Sequence, residues 1–308
     1  MTSSRHLGLD LGGTQLKWAV VELTDAGWGQ VATDLAPTRV DAGADGIIDQ
    51  LAETATAAVA DWGPVASVGV GIPGRYDAAG GRVVMTPNIP VRWEGTRVVA
   101  RLEQRVGLPV HLVNDARAFT LAELRLGAGR GARTLIGMTL GTGVGGGIAI
   151  GGTLYLGRDG AAGEIGHQTI DPDGPLCNCG NRGCVEAFAR ADVIAATCGT
   201  STVEEAVRAA AAGDAQALDG LARVGRYLGI GIANIVTVLT PDRVVVGGGV
   251  AAAGDILFPS IRAELDRRVR MTGTATVELV RAELGIWAGA IGAAIHGAEA
   301  AAHGPGPS

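Results

Sequence analysis

The sequence predicts an α/β fold built from two duplicated domains, and three observations carry that expectation. The chain has 308 residues, more than one ordinary hydrophobic core accommodates. A strand, a glycine-rich turn and a second strand occur twice, as HLGLDLGGTQLKWAVVEL at 6–23 and TLIGMTLGTGVGGGIAIGGTL at 134–154. In both, apolar residues alternate on either side of the glycines, the pattern of paired strands. The stretch VHLVNDARAFTLAELRLG passes from a strand directly into a helix at Asn114-Asp115. Two glycine turns, one in each half, suggest phosphate-facing backbone opposed across a cleft.

Composition narrows the function classes. Apolar residues make up 47% of the chain, while 50 glycines and 4% aromatics imply close backbone packing and tight turns. A net charge of -6 argues against nucleic acid or an acidic membrane as partner. A small anion can still bind, through backbone amides. The opening MTSSRHLGLD lacks a signal-peptide apolar region, because Asp10 interrupts it. No uninterrupted apolar run reaches the roughly 18 residues that span a bilayer. The expectation is a soluble, cytoplasmic protein.

In the first hairpin, Asp10 ends a strand and Gly12-Gly13-Thr14 follow. The carboxylate suits a hydrated magnesium ion, and the turn offers bare amides and a hydroxyl to phosphate oxygens. Gly-Gly turns are also common in ordinary hairpins, so both readings stand. Lys17 is either a phosphate contact or a solvated strand lysine. Residues 46–62 place Ile47, Leu51, Ala55, Ala58 and Trp62 at helical spacing. VASVGVGIPG reads as a buried strand ending in a turn at Gly71 to Gly74. A loop-rich stretch with a short hairpin carries Asn88, either a turn residue after Pro87 or a ligand contact. Residues 95–106 read as helix. Asp115 fits the N-cap of the next helix and equally a carboxylate at a sheet's C-terminal edge, where α/β folds keep their chemistry. Helices are expected over 186–197, 202–212 and 215–239, the last apolar nearly all round and so buried. RVVVGGGVA at 243–251 reads as a buried strand running into glycines that let a flat ring or ribose approach. A helix over 255–270, a strand over 275–281 and a closing helix over 287–302 complete the chain.

Residues 164–186, EIGHQTIDPDGPLCNCGNRGCVE, stand apart. Cys177, Cys179 and Cys184 form a Cys-x-Cys-x4-Cys cluster with His167 upstream. Three sulfurs and one nitrogen fill a zinc tetrahedron and leave no position for a catalytic water, so the metal would be structural. Free or disulfide-bonded cysteines are the alternative, but three cannot all pair with one another. Cys198 sits in an Ala-rich segment and reads as a packing residue. Glu164 and Glu186 flank the cluster, as if the stiffened loop exists to hold them still.

These pieces, in this order, resemble the ROK family of bacterial sugar kinases, within the hexokinase and actin-like ATPase superfamily. The resemblance runs through DLGGT, GIPG, PN, ND, LGTGVGGG, EIGH, CNCGNRGCVE and VVVGGGV. It implies a two-lobed actin-like, hexokinase-type (ribonuclease H-like) ATPase fold, with a cleft between duplicated domains and a zinc-bound loop. Residues 1–114 with about 290–308 would form the smaller lobe, and 115–289 the larger one with the zinc segment 164–186. It also implies Asp115 as catalytic base. Gly74, Asn88, Asn114, Asp115, Glu164, His167 and Glu186 would hold the sugar. Asp10, Gly12, Gly13, Thr14, Thr142, Gly143, Gly247, Gly248 and Gly249 would face the nucleotide. His167, Cys177, Cys179 and Cys184 would bind zinc, with the second ring nitrogen of His167 turned to the sugar. Family members often carry Lys where this chain has Gln15.

The implied activity is phosphorylation of a hexose by ATP with Mg2+, glucose first, in a homodimer or homotetramer. N-acetylglucosamine, N-acetylmannosamine or fructose are alternative substrates. A non-catalytic sugar sensor is the alternative from another class, and its mark would be loss of Asp115 or Asp10. Both are present.

Overall fold

The computed structural model describes residues 3–86 and 89–303. In chain order, the first hairpin is β1 (Ser4–Leu11) and β2 (Gln15–Thr24), followed by β3 (Gly27–Pro37) and α1 (Gly43–Trp62). Then come β4 (Val68–Ile72), β5 (Arg75–Asp77), β6 (Arg82–Met85), α2 (Val98–Val106), β7 (Val110–Asn114) and α3 (Asp115–Arg125). The second hairpin is β8 (Leu135–Leu140) and β9 (Val144–Ile150), with a short β10 (Thr153–Leu154). The helices α4 (Val185–Ala189), α5 (Ala191–Thr197), α6 (Val203–Ala211) and α7 (Ala215–Leu239) follow. The chain closes with β11 (Arg243–Gly247), α8 (Gly254–Arg268), β12 (Glu278–Arg281) and α9 (Ala288–His303).

Two compact units result. One comprises Met1–Gly127, Leu156–Ala162 and Ile286–Ser308, the other Ala128–Tyr155 and Gly163–Gly285. The first unit holds a five-stranded sheet in the order β3-β2-β1-β4-β7, and the second one in the order β10-β9-β8-β11-β12. In each, a hairpin supplies the antiparallel side, and a parallel strand then pairs with the hairpin's first strand. Two sheets with one wiring are the duplication that the repeated hairpin predicts.

In the first unit the strand period of two divides labour between the sheet faces. Leu7, Leu9 and Leu11 of β1, with Val68, Val70 and Ile72 of β4, join Ile47, Leu51 and Leu102 of α1 and α2 in one core. The alternate positions are Gly8 and Asp10 on β1 and Gly69 and Gly71 on β4, and this face receives α9. A Cβ on Gly8 would lie 1.8 Å from the Ala290 carbonyl oxygen, and one on Gly69 would lie 1.7 Å from that of Ala293. Gly292 repeats the device where α9 crosses α3, since its Cβ would lie 1.7 Å from the Ala118 carbonyl oxygen. The segment Leu156–Ala162 is held to this unit by buried Arg117 of α3. Its Nε donates to the Ala162 carbonyl at 2.8 Å and its Nη2 to that of Ala161 at 2.9 Å.

In the second unit α7 and α8 close on the sheet through Leu221, Val224, Leu228, Leu257 and Ile261, together with Ile136, Met138, Val244 and Val246. α7 is long and apolar enough to cross a membrane by length and composition, but 56% of its apolar window is buried. Arg223 and Arg226 interrupt its sequence. Its apolar character is thus accounted for by the core.

The expected helix over 186–197 is two helices. Arg190 between α4 and α5 is extended, at φ -76° and ψ 156°. The break frees the Ala191 N–H to donate to the Gly141 carbonyl at 2.9 Å, and Arg190 itself bonds Asp192 and Asn178. The closing helix runs to His303, and the rest of the tail lies outside the described residues.

Gly69→Ala is expected to destabilise the protein by about 1–3 kcal/mol or more through overpacking, because α9 must retreat from β4. Gly273→Ala, where a Cβ meets nothing within 4 Å, is expected to be near neutral. Denaturant midpoints of the two variants check both.

Candidate functional site

In the first unit, the parallel strands β1, β4 and β7 end at one sheet edge. The β1–β2 turn is fixed there by Thr38. Its Oγ1 donates to the Gly12 carbonyl at 2.7 Å and its N–H to the Thr14 carbonyl at 2.9 Å. Gly12 closes the turn by donating to the Gln15 carbonyl at 2.9 Å, and the Thr14 side stays exposed. Thr38 was not legible as a site residue, because a loop threonine 26 residues from Gly12 carries no local signal.

Asp10 sits on the glycine face of the sheet. A Cβ on Gly289 would lie 2.5 Å from its Oδ2, and one on Gly71 3.5 Å from its Oδ1, so both glycines keep the carboxylate's surroundings clear. That cradle and an anionic oxygen pair fit a hydrated Mg2+. Burial raises the Asp10 carboxyl above its usual range, and Lys17, its cross-strand partner, draws it partly back. Lys17 therefore lies on the same sheet face as Asp10.

At the β7–α3 junction the helix is capped by Asn114. Its Oδ1 accepts from the Ala116 N–H at 3.0 Å and the Arg117 N–H at 3.2 Å. The capping reading of Asp115 is thereby corrected: the neighbouring asparagine does that work, because its extended backbone turns the amide back over the first turn. The Asn114 Nδ2 donates to the Gly74 carbonyl at 3.1 Å, tying together two residues expected near a sugar. Gly74 has φ +90°, a left-handed conformation that glycine adopts without strain. Asp115 is half-buried, with Oδ1 accepting from the Ala116 N–H at 2.9 Å. Asn88 lies outside the described residues.

In the second unit, β8 and β11 run parallel and end side by side, Thr139 opposite Gly247. The Thr142-Gly143 turn and the Gly247-Gly248-Gly249 turn are thus brought to one sheet edge. Gly248, at φ +88°, lies against the end of β8, where its Cβ would be 2.2 Å from the Leu140 carbonyl oxygen. A Cβ on Gly141 or Gly249 would meet nothing within 4 Å, so both turns present bare backbone outward.

The segment 164–186 folds onto this hairpin. A Cβ on Gly166 would lie 1.9 Å from the Val144 carbonyl oxygen, and one on Gly183 (φ +64°) would lie 1.5 Å from that of Asp171. One ligand atom from each of His167, Cys177, Cys179 and Cys184 falls in a cluster whose members all lie within 4.8 Å of one another. Cys179 Sγ is 3.8 Å from Cys184 Sγ, and Cys177 Sγ is 3.7 Å from His167 Nδ1. Zn–S bonds of about 2.3 Å at tetrahedral angles give sulfur–sulfur edges of about 3.8 Å, so the donor set fits a zinc ion. The same separation rules out a disulfide, whose S–S bond is about 2.05 Å. Burial pushes the Cys177 thiol up to about 12 and raises that of Cys184, while the Asn181 backbone N–H lowers that of Cys179. A coordinating cation overrides all three by deprotonating the thiols.

The two ring nitrogens of His167 have different neighbours: Nδ1 faces the sulfurs and Nε2 lies 3.8 Å from Glu164 Oε2. Glu186 is more engaged than its sequence position suggests. Its Oε2 accepts from the Val144 N–H at 2.9 Å, and its Oε1 lies 3.5 Å from Cys177 Sγ.

Duplicated mixed sheets with a glycine turn at each hairpin define the actin-like ATPase fold of the sugar kinases. Residues 6–299 match the ROK family, and the chain belongs to it. It is 36% identical to the glucokinase of Thermotoga maritima over 313 residues, covering 96% of this chain and 97% of that protein. A ROK hexokinase from Thermus thermophilus superposes with a TM-score of 0.83 at 35% identity, covering 97% of this chain and 100% of that one. A ROK family glucokinase from Streptomyces griseus, solved in complex with glucose and AMPPNP, gives 0.80 at 33% identity, over 96% and 100%.

An acid whose carboxyl folding raises binds its proton more tightly folded than unfolded. Stability therefore falls as pH climbs from near the ordinary value of 3.8 through the folded value. Nucleotide-free Asp10→Asn protein is expected to melt above the parent at pH 7 and to lose that advantage below pH ~4, as read by thermal unfolding at both pH values. The parent is expected to carry about one zinc per chain, and Cys184→Ser to lose it with a lowered melting temperature. Elemental analysis of the purified proteins decides this.

Proposed function

We propose that this chain is an ATP-dependent glucokinase, transferring the γ-phosphoryl group to the 6-hydroxyl of glucose. The observation that carries the reading is Asp115, a carboxylate at a strand's C-terminal edge whose capping duty is taken by Asn114. The full-length likeness to glucokinases supports glucose as the substrate. A sugar hydroxyl is a weak nucleophile at neutral pH, so a base must take its proton as the new bond develops. Asp115 accepts that proton, the hydroxyl oxygen bonds to the γ-phosphorus, the bond to the β–γ bridging oxygen breaks, and ADP leaves.

Positioning and charge neutralisation do most of the work in such a transfer. Asn114, through its second Nδ2 proton, holds the sugar together with the Gly74 turn, Asn88, Glu164, His167 Nε2 and Glu186. The backbone of Gly12, Gly13, Thr142, Gly143 and Gly247 to Gly249, with the hydroxyls of Thr14 and Thr142, cradles the nucleotide. Asp10 would hold hydrated Mg2+, which when bound would neutralise phosphate charge. His167, Cys177, Cys179 and Cys184 would hold zinc, whose contribution would be to fix the residues around it. We further propose a cytoplasmic homodimer or homotetramer that binds neither nucleic acid nor membrane.

Asp115→Asn keeps the shape of the base and removes its function. A fall in kcat of about 10²–10⁴-fold, with the glucose Kd from calorimetry within a few fold of the parent, is expected. A variant that keeps more than a tenth of parental kcat would remove Asp115 as base. Parental activity confined to N-acetylglucosamine, N-acetylmannosamine or fructose would change the substrate and keep the reaction. Sugar binding without turnover on any of them would make the chain a sensor.

A further inference from the structure

Glu186 makes two contacts that the sugar-binding reading does not require. Its Oε1 lies 3.5 Å from the sulfur of Cys177, and its Oε2 accepts the N–H of Val144 at 2.9 Å. Cys177 belongs to the four-donor cluster, and Val144 closes the glycine turn that follows β8. Glu186 is also held from behind. It is the second residue of α4, whose N-cap is Cys184, another member of the cluster.

The turn is also closed by the pairing of Leu140 with Val144 and by two hydrogen bonds of Gly141. Gly141 donates to the Gly143 carbonyl at 2.9 Å and accepts from the Ala191 N–H at 2.9 Å. A Cβ on Gly143 would lie 2.5 Å from Glu186 Oε2, so the carboxylate occupies the space a side chain there would need. The backbone amide of Val144 therefore bonds a carboxylate that stands two residues after one cluster cysteine, Cys184, and beside another, Cys177.

We propose that Glu186 is a positioning residue that couples metal loading of the cluster to the Gly141–Val144 turn, so that zinc sets nucleotide affinity as well as the fold of its own loop. The inference rests on the reading of this turn as part of the nucleotide site. With zinc bound, the Cys177 thiolate no longer donates to Oε1, and coordination of Cys184 fixes the start of α4, so that Glu186 Oε2 is held at the Val144 N–H. Without it, Cys184 and the start of α4 are released, and the Val144 N–H loses a fixed acceptor.

Coupling between two ligands is reciprocal, which gives a readout that a merely structural glutamate would not move. Zinc affinity is measured on the full-length protein by competition with a calibrated chelator, with and without saturating Mg-AMPPNP. No sugar is present, so that hydroxyl contacts of Glu186 do not enter. In the parent, nucleotide is expected to tighten zinc binding about fivefold or more, within the usual range of site-to-site coupling. Gly143→Ala, whose new methyl displaces the Glu186 carboxylate, is expected to weaken AMPPNP binding and to abolish the coupling. Glu186→Ala, which deletes both contacts, should abolish it too and serves if Gly143→Ala does not fold. Independent binding of zinc and AMPPNP in the parent, with AMPPNP affinity still lowered by Gly143→Ala, would overturn the coupling and leave the nucleotide reading intact. Unchanged AMPPNP affinity in Gly143→Ala would overturn both.

Discussion

A glycine-rich loop with almost no regular structure must hold side chains still, and the four-donor cluster is what allows it. Between β10 and α4 the described backbone offers one short 3-10 turn and two isolated bridges, Thr169 with Cys184 and Leu176 with Arg182. Such a loop buries little apolar surface of its own. A metal ion closing His167, Cys177, Cys179 and Cys184 onto one point would replace a core by coordination. Glu164, the Nε2 side of His167 that faces it, and Glu186 would then share the cluster's rigidity.

Glycine plays the complementary part where regular structure does exist. On β1 and β4 it opens one sheet face to the backbone of α9, and the same face ends at Asp10 with Gly71 and Gly289 beside the carboxylate. The packing that brings helix to sheet and the clearing around the acidic group are thus one sequence feature. It also explains the composition, because 50 glycines with few aromatics build a protein whose elements meet backbone to backbone. The burial that raises the Asp10 carboxyl is the cost of that arrangement, and a cation at the carboxylate would reverse it.

Much of this was legible because the signals are local. The hairpins at 6–23 and 134–154 carry their strand period and their glycines in consecutive residues, and both are the antiparallel halves of matching sheets. The cysteine cluster is a spacing motif, and its four donors do converge. The β7–α3 junction was read to the residue, yet the cap went to Asn114, since sequence does not say which of two adjacent polar side chains folds back. What stayed hidden depends on distant partners. Arg117 carries no local signal in the sequence, and it is buried on carbonyls 44 and 45 residues away. Glu186 reads as the edge of a motif, but it supports an amide 42 residues earlier. The break at Arg190 follows from the Gly141 carbonyl, which no helical periodicity reveals.

The most direct measurement is phosphorus-31 NMR of the protein incubated with MgATP and glucose. The account predicts that the γ-phosphate signal of ATP declines while the phosphomonoester signal of glucose 6-phosphate grows in equal amount. ATP that persists while glucose binds, or ATP that yields inorganic phosphate with no sugar ester, would contradict it.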